Sequence, residues 1–507
     1  MGIISFPQHP HNDTLVQLTA PPDWQNPTPD GKYNLVVIGA GSAGVTLAQY
    51  AARFGAKVAL IEKNLLGGDC LVSGCVPSKA LIRAAKVAGE LKKGAQFGIS
   101  ADDLALDFAQ VMAHVWQARA KIAPHDSAEK FRKLGVDLYF GAAQFTNPNT
   151  VEVDGQQLTF AKSAITTGSR PRIVPIPGLQ ATGFLTNETL WNLTTQPKRL
   201  AIIGAGPIGV EMAQAFQRLG TQVTLIEQAD TILPREDRDA AAIVQQALEV
   251  DGVDLRLGVR VVGVEGDSAE KQMVVATASA ESRIAVDEIL LAIGRVPNIE
   301  SLNLAAANVD FTKRGVTVND YLQTTNPNVY AAGDVALPHQ FTHAAGHAAS
   351  IVFNNALFSA PLRIVPKRKY SDLIMPWATY TSPEVAHVGL SAHEVADSVV
   401  DTHYVSLKSV DRGVTDSAEN GFVKLHTQRG SDEIVGATIV AENASEMITS
   451  VSLAMKNNLG LGAFAGLVMP YPTQSEAIQH AAMRQSIGNT LRRYGEIFGR
   501  LMSFTRR

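Results

Sequence analysis

Cysteine is nearly missing from this chain of 507 residues, which carries only Cys70 and Cys75. A disulfide-stapled scaffold is therefore not expected, and a chain of this length buries an adequate core without one. Zinc needs four ligands, and no second Cys pair or His pair stands at matching spacing, so no metal site is expected. Charge is sparse too. Charged residues make up 18% and the net charge is −4, which gives no case for nucleic acid or an acidic membrane surface. Long unbroken apolar runs are also lacking. The most apolar stretch, Val36 to Ile61, is interrupted by Ser42, Thr46, Gln49, Arg53 and Lys57, so no transmembrane segment is expected. The N-terminus shows no basic region followed by an apolar core, and without a secretory signal a cytoplasmic enzyme is the expectation.

What the chain does have starts with the setting of those two thiols, the stretch Gly67–Lys79, GGDCLVSGCVPSK. With a staple and zinc set aside, a redox-active dithiol is the reading that remains. Pro77 suits the first turn of a helix, which puts Cys75 at a helix N-terminus, where unpaired N–H groups and the dipole favour a thiolate. Directly upstream, the strand-like run Leu35–Ile38 leads into Gly39-Ala40-Gly41-Ser42-Ala43-Gly44, then an Ala-rich helical stretch to Phe54. A second strand, Val58–Ile61, ends in Glu62. Strand, glycine turn, helix, strand, acid is the dinucleotide fingerprint in its proper context. The glycines let the backbone approach a pyrophosphate at the helix N-terminus, and the acid can accept from a ribose hydroxyl.

The same unit recurs. Leu200–Ile203 runs into Gly204-Ala205-Gly206-Pro207-Ile208-Gly209, and Val223–Ile226 ends in Glu227, at the spacing found in the first copy. Two such units imply two dinucleotides. From about Ser371 the pattern changes to alternating strands, Gly421–Leu425 and Ile434–Ala437, and helical stretches around Ala444–Leu459 and Thr473–Ala482. That mixture reads as an α+β domain with an antiparallel sheet. Residues 1–32, rich in Pro, Asn and Asp, read as an extended arm or lead-in loop. The tail places Ile487, Leu491, Tyr494, Phe498 and Leu501 on one helical stripe among arginines, and docking on its own protein or dimer mate is favoured over a membrane surface.

The dithiol stretch, in this setting, resembles the signature of the class I pyridine nucleotide–disulfide oxidoreductases, flavoproteins that include dihydrolipoamide dehydrogenase, glutathione reductase and mercuric reductase. The likeness runs from about residue 33 to about 485. It implies an α/β fold with two Rossmann-like dinucleotide-binding domains, for FAD and NAD(P), plus a C-terminal α+β dimerisation domain. The expected boundaries are an N-terminal arm 1–32, an FAD domain 33–169 and 297–370, an NAD(P) domain 170–296, a dimerisation domain 371–485 and a basic amphipathic helix 486–507. The resemblance gives Cys70 the exchange with substrate and Cys75 the charge-transfer contact with flavin. It pairs Lys79 with Glu211 near the flavin.

It also implies where the cofactors lie. FAD falls to Gly39, Gly41, Ser42, Ala43, Gly44, Glu62 and Lys63, with Gly68 and Asp69 from the dithiol turn. Ala143 belongs to a segment along the adenosine end, and Thr167 and Gly168 to the crossover between nucleotide domains. Gly333 and Asp334 form the second FAD motif, and Phe341 and Thr342 sit near the pyrimidine side. The nicotinamide nucleotide falls to Gly204, Gly206, Gly209 and Glu227, with Gly294 and Arg295 closing the second fold. Glu227 should accept from both ribose hydroxyls and repel a 2′-phosphate, so NADH is expected to be preferred, with NADPH possible. His343 and His347, four apart, are expected to be packed or solvated rather than metal-binding.

The acceptor side departs from the family pattern. Its acid–base motif, His-Pro-x-x-x-Glu, reads here Tyr471-Pro472-Thr473-Gln474-Ser475-Glu476. A Tyr with an ordinary pKa near 10 is a poor base at neutral pH. The Tyr and the GCVPSK wording look most like mercuric reductase, yet the second thiol pair used there to hand over metal is absent. The expectation is a homodimeric, mercuric reductase-like NAD(P)H oxidoreductase acting on a metal ion, quinone or small disulfide. The alternatives are a dihydrolipoamide dehydrogenase or glutathione reductase-type enzyme, or a flavoprotein redox sensor that does not turn over.

Overall fold

A computed structural model describes residues 5–100, 105–267, 270–278, 280–359, 365–391, 394 and 399–506, apart from the side chains at 489–494, 496 and 498. The chain forms two compact units, 1–228 with 258–373, and 229–257 with 374–507.

The first unit is built around a parallel sheet. Strand β1 (Tyr33–Ile38) pairs on one side with β2 (Val58–Glu62), which pairs with β3 (Val136–Phe140). On the other side β1 pairs in parallel with strand Gln156–Ile165, and that strand with Val329–Ala331. Both faces of β1 are covered, as a parallel strand requires. Leu35 and Val37 pack with Leu47, Ala48 and Ala51 of helix α2 (Ser42–Arg53) and with alanines of helix Thr342–Phe353. Val36 and Ile38 face Phe145, Val151 and Phe160 from the antiparallel strands on the opposite side. Small side chains on both helices let them lie close over the sheet. Because β1 has neighbours running off in both directions, its carboxyl end is a topological switch point, the place where such sheets take ligands.

The second parallel set follows the same plan, with strand Arg199–Ile203 flanked by Gln222–Glu227 and Glu288–Leu291. Strands Ser169–Pro171 and Arg295–Pro297 pair antiparallel, so the two crossover segments form one ribbon.

Residues 5–32 differ from the arm expected. Helix α1 (Pro10–Thr19) occupies their middle, opened by His9, whose ring accepts from the His11 N–H, and by Pro10 at the first turn. Leu15 is fully buried, worth about 1.5–3 kcal/mol relative to exposure. Trp24 and Asn26 then donate to the carbonyls of Leu138 and Phe140 on β3. Proline and asparagine, read as loop signals, here cap and anchor.

The second unit holds a five-stranded antiparallel sheet, in the order 376–379, 384–389, 434–441, 422–428, 400–406. One face packs Val423, Leu425, Ile439 and Val405 against helix Ala444–Lys456 and the start of helix Glu476–Phe504. The segment 229–257, expected within the NAD(P) domain, groups with this unit. Asp237 and Asp239 there meet Lys424 of the sheet at 2.8 and 2.6 Å, and Glu236 accepts from the Trp377 indole at 2.7 Å. The helix expected over Thr473–Ala482 begins later, at Glu476, and is one piece with the tail as far as Phe504. On its stripe, Ile487 and Leu501 are exposed, while Leu491, Tyr494 and Phe498 lie outside the described side chains. Among the described residues, no helix is long and apolar enough to cross a membrane.

Candidate active site

The dithiol sits where its own turn crosses the first glycine turn. Gly67 and Gly68 both adopt positive φ, 86° and 57°, and the Gly67 N–H donates to the Ala40 carbonyl at 2.9 Å. A Cβ on Gly68 would stand 2.7 Å from the Gly41 Cα, so only glycine permits this approach. Helix α3 (Gly68–Val72) carries Cys70, and helix α4 (Cys75–Lys92) starts at Cys75, with Pro77 in its first turn.

The two sulfurs are chemically unequal. The Cys75 thiol is drawn down to about 6, chiefly by a hydrogen bond from Cys70, with help from Thr342 and Lys79 against the opposing effects of burial and Asp69. Cys70 is pushed up, first by that same hydrogen bond and then by burial. The Cys75 sulfur lies 3.2 Å from the Thr342 hydroxyl. The charge is therefore favoured on Cys75 and the proton on Cys70. One turn along α4, Lys79 donates to Glu211 Oε2 at 2.9 Å, and the Glu211 side chain is almost wholly buried on helix Pro207–Arg218.

Behind α3 runs a polar chain that joins the two crossovers. Arg295 meets Asp69 at 3.3 Å and donates to the Ser169 hydroxyl at 2.7 Å, which donates to Asp334 at 2.6 Å. Burial is the main reason the Asp334 carboxyl is pushed up. Thr167 donates to the Asn298 carbonyl at 2.7 Å, and Gly168 and Gly294 turn at positive φ on either side of the ribbon. Gly333 also has positive φ, Ala143 is buried at the start of its strand, and Lys63 is exposed beyond Glu62. Phe341 stacks on His343 at the head of helix Thr342–Phe353. Among the described residues, no group of three or more His, Cys, Asp or Glu could hold a metal ion.

Both glycine turns fit a dinucleotide. A Cβ at Gly44 or Gly209 would run into the carbonyl of Gly39 or Gly204, so these positions pack backbone on backbone. At Gly41 and Gly206 a Cβ would meet nothing within 4 Å, which leaves open space at the N-terminus of each following helix, where a pyrophosphate belongs. The terminal acids hold the turns: Glu62 accepts from the Ala40 N–H at 2.7 Å and Glu227 from the Ala205 N–H at 2.8 Å.

Tyr471 and Glu476 belong to the second unit. The exposed Tyr471 hydroxyl donates to Asp411 at 2.7 Å, and that carboxylate drives the phenol pKa up. Glu476 accepts from the Thr473 N–H at 3.0 Å, closing the first turn of its helix. Sequence reasoning passed over Ser169 and Asp411. Ser169 could have been found, since it follows the Gly168 turn directly. Nothing in the sequence signals Asp411, which reaches Tyr471 only through the fold.

A thiol pair that cycles between oxidised and reduced states needs an electron carrier beside it and a nucleotide to supply that carrier. Two nucleotide folds, one of them wrapped by the dithiol turn, meet that need, and the class they define is the flavin-dependent disulfide reductase. The chain belongs to the pyridine nucleotide-disulphide oxidoreductase family, whose model matches residues 33–349, while the family's dimerisation domain matches 375–482. The mercuric reductase of Staphylococcus aureus is 34% identical over 457 residues, 90% of this chain and 82% of that protein. The dihydrolipoyl dehydrogenase of Thermus scotoductus is 34% identical across 89% of this chain and 96% of its own length. The Cu(II) complex of the HOCl-induced flavoprotein disulfide reductase RclA from Escherichia coli matches with a TM-score of 0.77 at 28% identity, covering 90% of this chain and 99% of that one. The protein is an FAD-dependent oxidoreductase that uses a pyridine nucleotide.

Proposed function

We propose that this enzyme carries two electrons from NADH to the Cys70–Cys75 pair and on to a metal ion or quinone, with small disulfides as slow acceptors. Bound FAD supplies the electron relay between nicotinamide and disulfide. The Gly39–Gly44 turn and Glu62 hold its pyrophosphate and ribose ends, and the Gly204–Gly209 turn and Glu227 hold the dinucleotide donor. Cys75 keeps its negative charge beside Lys79, while Cys70 retains a proton and faces the acceptor. We assign the domains as the family resemblance divides them, FAD at 33–169 with 297–370 and NAD(P) at 170–296, with segment 229–257 of the latter packing in the second unit. In the homodimer, Tyr471 of each protomer serves the dithiol of the other.

The observation that carries the choice of acceptor is the Tyr471–Asp411 hydrogen bond. Thiol–disulfide exchange needs a group that takes and returns a proton near neutral pH. A phenol whose proton is shared with a carboxylate, and whose pKa is raised by it, does not do so. A soft metal ion binds thiolate directly, and a quinone takes electrons without thiol exchange. The mercuric reductase and Cu(II)-bound relatives support this reading. An NADH-oxidation screen over mercuric and cupric ions, quinones, lipoamide and glutathione disulfide tests it, with Cys70→Ser as control. Fast turnover of the disulfides together with inert metal ions and quinones would sink it.

A further inference from the structure

Residues 5–32 precede the family match, which begins at 33, yet α1 shares an apolar cluster with side chains of both cysteine-bearing helices. Leu15 and Ala20 share an apolar cluster with Leu71 and Val72 of α3, and Val76 of α4 packs on the same cluster. Helix α3 has five residues. A helix that short does not hold itself together, and its last carbonyls need partners from outside.

Those partners are present. The Val72 carbonyl accepts from Arg119 Nη1 at 2.9 Å, and the Ser73 carbonyl accepts from the Trp191 indole at 2.8 Å. Arg119, on helix α5 (Phe108–Ile122), is fully buried, and among the described residues no carboxylate pairs with it. Its Nη2 donates to Asn12 Oδ1 on α1 at 2.9 Å, and the Phe6 ring lies 4.9 Å from the guanidinium carbon. Asn12 completes the chain by donating to the Pro7 carbonyl at 2.9 Å. An amide suits this place. It accepts from the guanidinium without neutralising it, so the cation stays available to the C-terminal end of α3.

We propose that α1 is a clamp on the redox turn, in which Asn12, acting through Arg119, positions α3 and so sets where Cys70 stands relative to Cys75 at the head of α4. Asn12 and Arg119 are positioning residues, since neither touches the thiols. Loosening the clamp weakens the Cys70 hydrogen bond, and the Cys75 thiolate loses its main support. This rests on the reading of Cys75 as the stabilised thiolate.

The test is Asn12→Leu in the full-length, FAD-loaded, reduced enzyme, with iodoacetamide labelling of each cysteine followed against pH by peptide mass mapping. The thiolate titration should move up by about half a unit, which slows labelling by about twofold at pH 6 and by about threefold well below it. FAD content and the rate of flavin reduction by NADH should stay at wild-type levels. Deletion of residues 1–20 should move the curve further the same way; because Asn12→Leu leaves α1 in place, its result stands even where the deletion fails to fold. A titration curve for Asn12→Leu superposable on wild type overturns the clamp, and so does lowered thermal stability with the curve unmoved. The wild-type profile checks the thiolate assignment separately: if Cys70 is the acidic sulfur, that assignment falls, while the difference between wild type and Asn12→Leu still decides the clamp.

Discussion

The two glycine turns share a plan but not a degree of closure. In each, the first glycine donates to the strand that ends in the acid, Gly39 to Ile61 and Gly204 to Ile226, both at 2.8 Å. In each, the acid's carboxylate holds the turn from behind. Around the first, however, Glu62 is 8% exposed, its second oxygen takes the Asn64 N–H at 2.8 Å, and the dithiol turn is laced to Ala40. Around the second, Glu227 is only half-buried. One pattern of residues thus yields a closed seat and an open one. The closed seat suits a resident cofactor, and the open one suits a nucleotide that must come and go at every turnover.

That contrast can be broken from either side. Gly44→Val should have the largest effect, a protein purified without FAD and without activity, because the added carbons collide with the Gly39 carbonyl. Flavin absorbance at the wild-type ratio would contradict the closed seat. Gly209→Val makes the same collision in the open one, and should keep full FAD while flavin reduction by NADH falls at least about 100-fold. Stopped-flow reduction separates the two variants. Tyr471→His restores a base near neutral pH, and lipoamide or glutathione disulfide turnover should rise by about 10²-fold with flavin reduction by NADH unchanged. No gain, alongside a harmless Tyr471→Phe, would place the base elsewhere. The smallest effect belongs to Glu227→Gln, with an increase of about tenfold in the KM for NADH and a narrower preference over NADPH. Steady-state kinetics with both nucleotides reads it.

The fold was largely legible because its signals are local. Glycine turns, the buried runs before them and the acids after them specify themselves within about thirty residues. The same holds for Cys75 at the head of α4, since Pro77 marks the turn. What escaped depends on distance in sequence. Helix α1 is written in Pro, Asn and Asp, whose loop meaning is overridden when Leu15 finds a cluster and Asn12 finds Arg119. Segment 229–257 reads as part of a nucleotide fold, and the long-range pairing of Asp237 and Asp239 with Lys424, which ties it to the second unit's sheet, has no local signal. Asp411 changes the chemistry of Tyr471 while carrying no motif of its own.

The ion pair between Lys79 and Glu211 ties two inventories together. Glu211 lies two positions beyond the last glycine of the nucleotide turn, and Lys79 helps hold the charge on Cys75. Free-energy coupling is reciprocal. A nucleotide that shifts Glu211 therefore alters how readily Cys75 gives up its proton, and the proton on Cys75 alters how tightly the nucleotide is held. As the pH falls and Cys75 takes up its proton, Lys79 has less negative charge to balance and Glu211 claims more of it. The reduced enzyme should then weigh NAD⁺ differently at pH 5.5 and pH 7.5, and Lys79→Met should erase that difference in a calorimetric titration. Proton count and donor occupancy become two gauges of one store.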